Sequence, residues 1–263
     1  MISTGAVRVI VLRTAGTNCD EETAFAFERA GAVAERVHIN RLVEDPRRLL
    51  AYHILAIPGG FSYGDDIASG KLLANEIRFR LDDVVRRFLD EGRLIIGICN
   101  GFQVLVKAGL LPGTPPGRVT TTLTLNDSGR FETRWVRLRV DTDRCAFVAP
   151  GDTLEMPVAH GEGKFVAPAP IVRALEKNRQ VVFRYVGPDG RPGAGYPWNP
   201  NGSVADIAGI CDPTGRILGL MPHPERHVLP VQHPRWTRGE ARPEGDGARI
   251  FSNAVSYVRR RLL

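Results

Sequence analysis

The chain has 263 residues, 43% hydrophobic and 24% charged, with a net charge of +6, an ordinary globular composition that is read as one α/β domain over 1–263. No run of about 18 apolar residues occurs, and Met1 to Ala6 lead straight into a strand without a basic-then-apolar leader, so no membrane span is expected and a cytoplasmic setting is. The basic clusters, Arg86-Arg87, Arg134 to Arg139 and Arg259-Arg260-Arg261, are interleaved with core-type residues, which argues against nucleic acid and for solvation or docking on an acidic protein surface.

Val7 to Leu12 reads as a first strand, and Asp20, followed by Glu21 and Glu22, opens a helix that runs to Ala30. Strands follow at Ala34 to Ile39 and His53 to Ile57, the latter ending at Pro58-Gly59-Gly60. Ile77, Leu81, Val84, Val85, Phe88 and Leu89 recur at helical spacing, which predicts one helix over Asn75 to Glu91. Leu94, Ile95, Ile96 and Ile98 form a continuous apolar strand, and Phe102 to Ala108 a helix. This alternation predicts a doubly wound, mostly parallel sheet with flanking helices. After Pro112 the pattern changes to short strands at Val119 to Leu125, Trp135 to Val140, Thr153 to Val158 and Val181 to Val186, which suit antiparallel extensions. Ile217 to Met221 is a last strand and Ala248 to Leu263 a last helix. The Pro-, Arg- and Gly-rich stretch at about 227–247 reads as an exposed loop.

Cys99 stands between strand and helix in Gly97-Ile98-Cys99-Asn100-Gly101, the spacing of a nucleophile elbow, where a Cβ at either glycine would collide with neighbouring backbone. A helix N-terminus favours the thiolate over the thiol. The pentapeptide alone fits a buried structural cysteine equally well. The four cysteines, Cys19, Cys99, Cys145 and Cys211, are scattered without C-x-x-C pairs, so neither a disulfide framework nor a zinc site is expected.

A thiol nucleophile needs a base and a group to orient it. His38 and His53 fall in strands, and His160 in the loop-like Ala-His-Gly-Glu-Gly. His223, directly after the last strand in Met-Pro-His-Pro-Glu-Arg, emerges at the carboxyl edge of the sheet, with Glu225 two positions on. His223, Glu225 and His227 also spell H-x-E-x-H, but the prolines forbid the helical geometry of a zinc site, and no metal is expected. Backbone N–H groups after Pro58, with that of Asn100, suit an oxyanion. Gly64 to Lys71 imitates a phosphate loop, yet it has one residue too many, Leu72 where Ser or Thr belongs, and two aspartates.

Gly-Gly, the cysteine elbow and a late His-Pro-Glu, in that order, resemble the class I (triad) glutamine amidotransferases. Thr17-Asn18-Cys19-Asp20, the Phe61 to Asp66 run, Cys99-Asn100-Gly101-Phe102-Gln103, Ala159 to Gly163 and Asn199 to Ser203 resemble, more narrowly, the family of glutaminase subunits of phosphoribosylformylglycinamidine synthase, nearly end to end. The stretch around His233 to Glu244 looks longer than in compact members.

The resemblance implies a class I amidotransferase-like fold and roles for matching positions. Cys99 would attack glutamine, His223 would shuttle the proton and Glu225 would orient it. Gly60 and Asn100 would donate to the oxyanion; Gly59, Gln103, His160 and Gly161 would line the glutamine pocket. Cys19, Cys145 and Cys211 are expected to be dispensable for that step. The chain would carry no cofactor. Its partners would be a large synthase subunit, holding ATP and magnesium, and a small accessory subunit. An independent cysteine hydrolase, such as a γ-glutamyl peptidase, and a silent regulatory module are the alternatives.

Overall fold

Five consecutive buried residues, Leu94 to Ile98, leave no polar face for solvent, and such a strand belongs inside a sheet covered on both sides. The computed structural model, which describes residues 5–238 and 243–263, has it there. The first half of the chain alternates β1 (Arg8–Arg13), α1 (Asp20–Arg29), β2 (Val33–His38), α2 (Ile39–Glu44), β3 (Ile54–Ile57), α3 (Lys71–Arg80), α4 (Asp82–Asp90), β4 (Leu94–Ile98) and α5 (Asn100–Lys107). The second half adds β5 (Thr122–Thr124), β6 (Glu132–Val140), β7 (Thr153–His160), β8 (Lys164–Val166), α6 (Ala169–Lys177), β9 (Val181–Tyr185), β10 (Ile207–Cys211), β11 (Ile217–Leu220) and α7 (Ala248–Arg261).

One nine-stranded sheet has the order β2-β1-β3-β4-β11-β10-β9-β6-β7. From β2 to β11 every pairing is parallel, and from β11 to β7 every pairing is antiparallel. This is the doubly wound sheet with antiparallel extensions that the strand–helix alternation implies. α7 closes back on α1, with Phe251 edge-on to Phe27 at 4.9 Å. No helix among the described residues is long and apolar enough to cross a membrane.

Several elements differ from the sequence reading. The helix expected over Asn75 to Glu91 is two helices, α3 and α4, broken at Leu81 (φ −122°, ψ 2°). Leu81 is buried at the joint, and Asp82 and Asp83 open the new helix where its positive dipole end favours them. Of the strand expected over Val119 to Leu125 only Thr122–Thr124 forms, and it pairs with β8 in a separate two-stranded sheet. His160 is the last residue of β7 rather than part of a loop. α2, β8, α6 and β10 had no counterpart in the sequence reading.

The stretch at about 227–247, expected as an exposed loop, is anchored over its described part; residues 239–242 lie outside the described residues. His227, Val228, His233 and Asp246 are buried, while Val231 and Trp236 face solvent. Glu155 of β7 holds it: His233 Nε2 lies 2.8 Å and Arg235 Nη2 3.0 Å from its carboxylate, and the Glu155 N–H donates to Asp246 at 2.8 Å. A cavity of about 420 Å³ opens beside Glu155, His227 and His233, apart from the cavity that holds Cys99. The basic run on β6 is locally compensated: Arg134, Arg137 and Arg139 pair with Glu132, Glu155 and Asp141.

Candidate active site

β3, β4 and β11 lie side by side, so their carboxyl ends bring Pro58-Gly59-Gly60, Cys99 and His223 to one edge of the sheet. The β6–β7 ribbon curls back to meet them, and the His223 N–H donates to Pro157 O of β7 at 2.8 Å.

Cys99 has φ 52° and ψ −106°, a region a residue with a side chain seldom enters and which costs on the order of 1–3 kcal/mol. The chain is held there from both sides. Cys99 N donates to Leu220 O at 2.8 Å, and Cys99 O accepts from Phe102 N and Gln103 N at 3.0 and 3.2 Å. The flanking glycines are a packing requirement. A Cβ on Gly101 would stand 1.9 Å from Ile57 O, and one on Gly97 would stand 2.5 Å from Gly101 O.

His223 and Glu225 are both 1% exposed. Nδ1 lies 2.6 Å from Glu225 Oε1; a carboxylate only accepts, so Nδ1 carries a proton. Nε2 and Glu225 Oε2 are buried without a hydrogen-bond partner among the described residues. Burial pulls the imidazole toward its neutral form. The Glu225 carboxylate, with the Cys99 and Cys19 sulfurs, outweighs that and raises the His223 pKa well above its usual value.

A cavity of about 310 Å³ is lined by Gly60, Cys99, Gln103, His160, Gly161 and His223, so the structure brings these candidates together. The Gly60 N–H makes no hydrogen bond among the described residues, and the Asn100 N–H, at the start of α5, has no intrahelical partner. Both are available to an anion. The Asn100 side chain accepts from Ser62 N at 3.2 Å and donates to Asp65 and Gln103 at 3.2 and 3.0 Å. Gln103 in turn donates to Glu162 O at 2.6 Å. Gly59 lies behind the cavity wall: a Cβ there would stand 2.8 Å from His223 Cε1 and 3.5 Å from Cys99 Cβ.

Asn126 Oδ1 accepts from Gly163 N at 3.0 Å, so the His160 Nδ1 at 3.1 Å from the same oxygen is its second donor. His160 therefore keeps its proton on Nδ1. Burial, then the neighbouring His223, lowers its pKa to about 4, and it stays neutral at physiological pH.

Cys19 and Arg226, to which the sequence reading gave no role, stand in the site. Cys19, set aside with Cys145 and Cys211, lies behind His223, and Arg226 Nη2 donates to its sulfur at 3.1 Å. Cys19 Sγ, a His223 nitrogen and a Glu225 oxygen fall within 4.8 Å of one another, but the guanidinium on the sulfur opposes a cation there. Their motifs, T-N-C-D and H-P-E-R, were the available signal. Cys145 and Cys211 are buried side by side elsewhere, and burial followed by the second thiol drives the Cys145 pKa up.

Residues 6–258 match the CobB/CobQ-like glutamine amidotransferase domain. The chain belongs to this amidotransferase family. It is 51% identical to the phosphoribosylformylglycinamidine synthase subunit PurQ of Dehalococcoides mccartyi, over 96% of this chain and 98% of that relative. To the subunit of the same name from Archaeoglobus fulgidus it is 42% identical, over 96% and 97% of the two chains. Among solved structures it is similar to a chain of PurLQS from Thermotoga maritima, with a TM-score of 0.73 and 31% identity over 96% of this chain and 99% of that one. A glutamine amidotransferase from Thermotoga maritima, at 17% identity and a TM-score of 0.51 over 97% and 92% of the two chains, shows the shared fold alone.

Proposed function

We propose that this amidotransferase chain is the glutaminase subunit of a phosphoribosylformylglycinamidine synthase. It hydrolyses glutamine to glutamate and ammonia, and the ammonia serves a synthase subunit that converts formylglycinamide ribonucleotide to formylglycinamidine ribonucleotide in purine biosynthesis. The observation that carries the reading is the strained Cys99 corner sharing a cavity with the buried His223–Glu225 pair, in a chain similar end to end to PurQ relatives.

In this reading His223 Nε2 takes the Cys99 thiol proton, and the thiolate attacks the side-chain amide carbon of glutamine. The tetrahedral oxygen receives the Gly60 and Asn100 N–H groups, each donor worth about 3–4 kcal/mol. The C–N bond breaks as His223 returns the proton to the leaving nitrogen, which releases ammonia and leaves a γ-glutamyl thioester. Water, deprotonated by His223, then cleaves the thioester to glutamate and restores the thiol. Glu225 holds one tautomer and stabilises the imidazolium. Gln103, His160 and Gly161 line the glutamine side of the cavity, with Gly59 giving way beneath the pair. ATP and magnesium act on the synthase partner, and a small accessory subunit completes the assembly. Four free thiols fit a reducing, cytoplasmic setting.

The test is Cys99→Ala in the assembled complex. Glutamine-dependent synthesis should vanish while synthesis from added ammonium salt persists; loss of both, with the complex intact, would refute the division of labour.

A further inference from the structure

The Thr17-Asn18-Cys19-Asp20 stretch takes no part in the chemistry above, yet it is built into the site from two directions. Asn18 N and Cys19 N both donate to Gly59 O, at 3.4 and 3.3 Å, and Phe61 N donates to Gly16 O at 2.8 Å. These bonds seat the stretch on the backbone that carries the Gly60 donor. On the other side, the Cys19 sulfur stands 3.2 Å from where a Gly59 Cβ would be, and His223 Cε1 is 2.8 Å from the same point.

Cys19 is fully buried, and its hydrogen bonds define its state. The S–H donates to Asn18 Oδ1 at 3.1 Å, and the sulfur accepts from Arg226 Nη2 at 3.1 Å. A thiol can do both at once and a thiolate cannot. Burial also raises the Cys19 pKa, against the pull of His223 and Arg226, so this sulfur is an anchor and not a second nucleophile. What it anchors is a cation. Arg226 Nε stands 4.0 Å from Glu225 Oε1, and Glu225 has its other oxygen buried and unbonded among the described residues. The guanidinium therefore flanks the carboxylate that orients the His223 ring.

We propose that Cys19 and Arg226 are positioning residues for the His223–Glu225 pair: the Cys19 thiol holds the Arg226 guanidinium beside Glu225, which fixes the carboxylate and, through it, the imidazole that serves Cys99. The proposal depends on the triad reading of the preceding subsection. Arg226 also reaches the cavity, so a contact with substrate is the competing role. It separates by kinetics: a positioning residue acts on kcat, whereas a contact that binds substrate and transition state equally acts on KM.

The experiment measures glutamine-dependent ammonia release by the chain assembled with its synthase partner, for Cys19→Ala, Cys19→Ser, Arg226→Met and Arg226→Lys, with the thermal midpoint of each complex. Cys99→Ala serves as the control for the triad reading, which fails if that variant still releases ammonia. Cys19→Ala and Arg226→Met should each lower kcat at least about tenfold, inside the hundredfold that about 1 Å of misplacement costs, with KM for glutamine unchanged. Arg226→Lys, which keeps the charge, and Cys19→Ser, which keeps a donor and an acceptor, should recover most of that loss. Full kcat in both Cys19→Ala and Arg226→Met, a change confined to KM, or an equal loss in the Met and Lys variants would overturn the proposal while leaving the Cys99 control intact. Should Cys19→Ala fail to fold, the two Arg226 variants decide it.

Discussion

Cys19 and Cys99 occupy the same kind of corner, each the residue before a helix that follows a parallel strand, α1 after β1 and α5 after β4. Each also faces His223. They differ in backbone and in partners. Cys19 sits at φ −110°, ψ 17°, fully buried and hydrogen-bonded on both sides of its sulfur, whereas Cys99 sits at φ 52°, ψ −106° and lines the cavity. The helix N-terminus is common to both and so cannot decide which thiol reacts. For Cys19, burial outweighs any help from the helix and raises the pKa. A strained turn that lifts the sulfur into an open cavity is what distinguishes Cys99, and packing around Gly97 and Gly101 makes that turn possible.

The group the two cysteines share gives the largest effect short of removing Cys99. His223→Ala should lower glutamine hydrolysis in the complex by about 10²–10⁴-fold, the scale of general acid–base catalysis. Glu225→Gln keeps the shape of the orienting group and should cost less. Rates for the two variants side by side check this; a Glu225→Gln enzyme slower than His223→Ala would contradict the roles. A smaller effect comes from the wedge between the two corners. Gly59→Ala would drive a methyl toward His223 Cε1 and the Cys19 sulfur, and should cost about 1–3 kcal/mol of stability by overpacking. Its kcat should fall more than its KM rises, because the displaced group is the base and not a substrate contact. Urea unfolding and steady-state kinetics on the same preparation test both parts.

The parallel half of the molecule was legible in the sequence because its strands are continuous apolar runs with helices between them. Leu94 to Ile98 could be nothing but a central strand, and the elbow glycines and His-Pro-Glu are local signals that need no tertiary knowledge. The antiparallel half was read less well. β10, with the sequence Ile-Ala-Gly-Ile-Cys, is five residues long and carries no alternation, and α6 begins next to a proline that reads as a loop. The break at Leu81 left no trace either, since its apolar spacing fits one helix or two. His160 looked like a loop residue because glycines follow it, but pairing with β6 extends β7 up to it. Cys19 and Arg226 are 207 positions apart, and they follow β1 and β11, two strands of the sheet separated by β3 and β4. No local pattern encodes that meeting.

The central claim is that Cys99 and not Cys19 is the attacking thiol, and covalent capture tests it most directly. An electrophilic glutamine analogue, incubated with the assembled complex and followed by peptide mass mapping, should leave one adduct on Cys99 in step with the loss of glutaminase activity, with Cys19 unmodified. An adduct on Cys19, or inactivation with Cys99 unlabelled, would contradict the account.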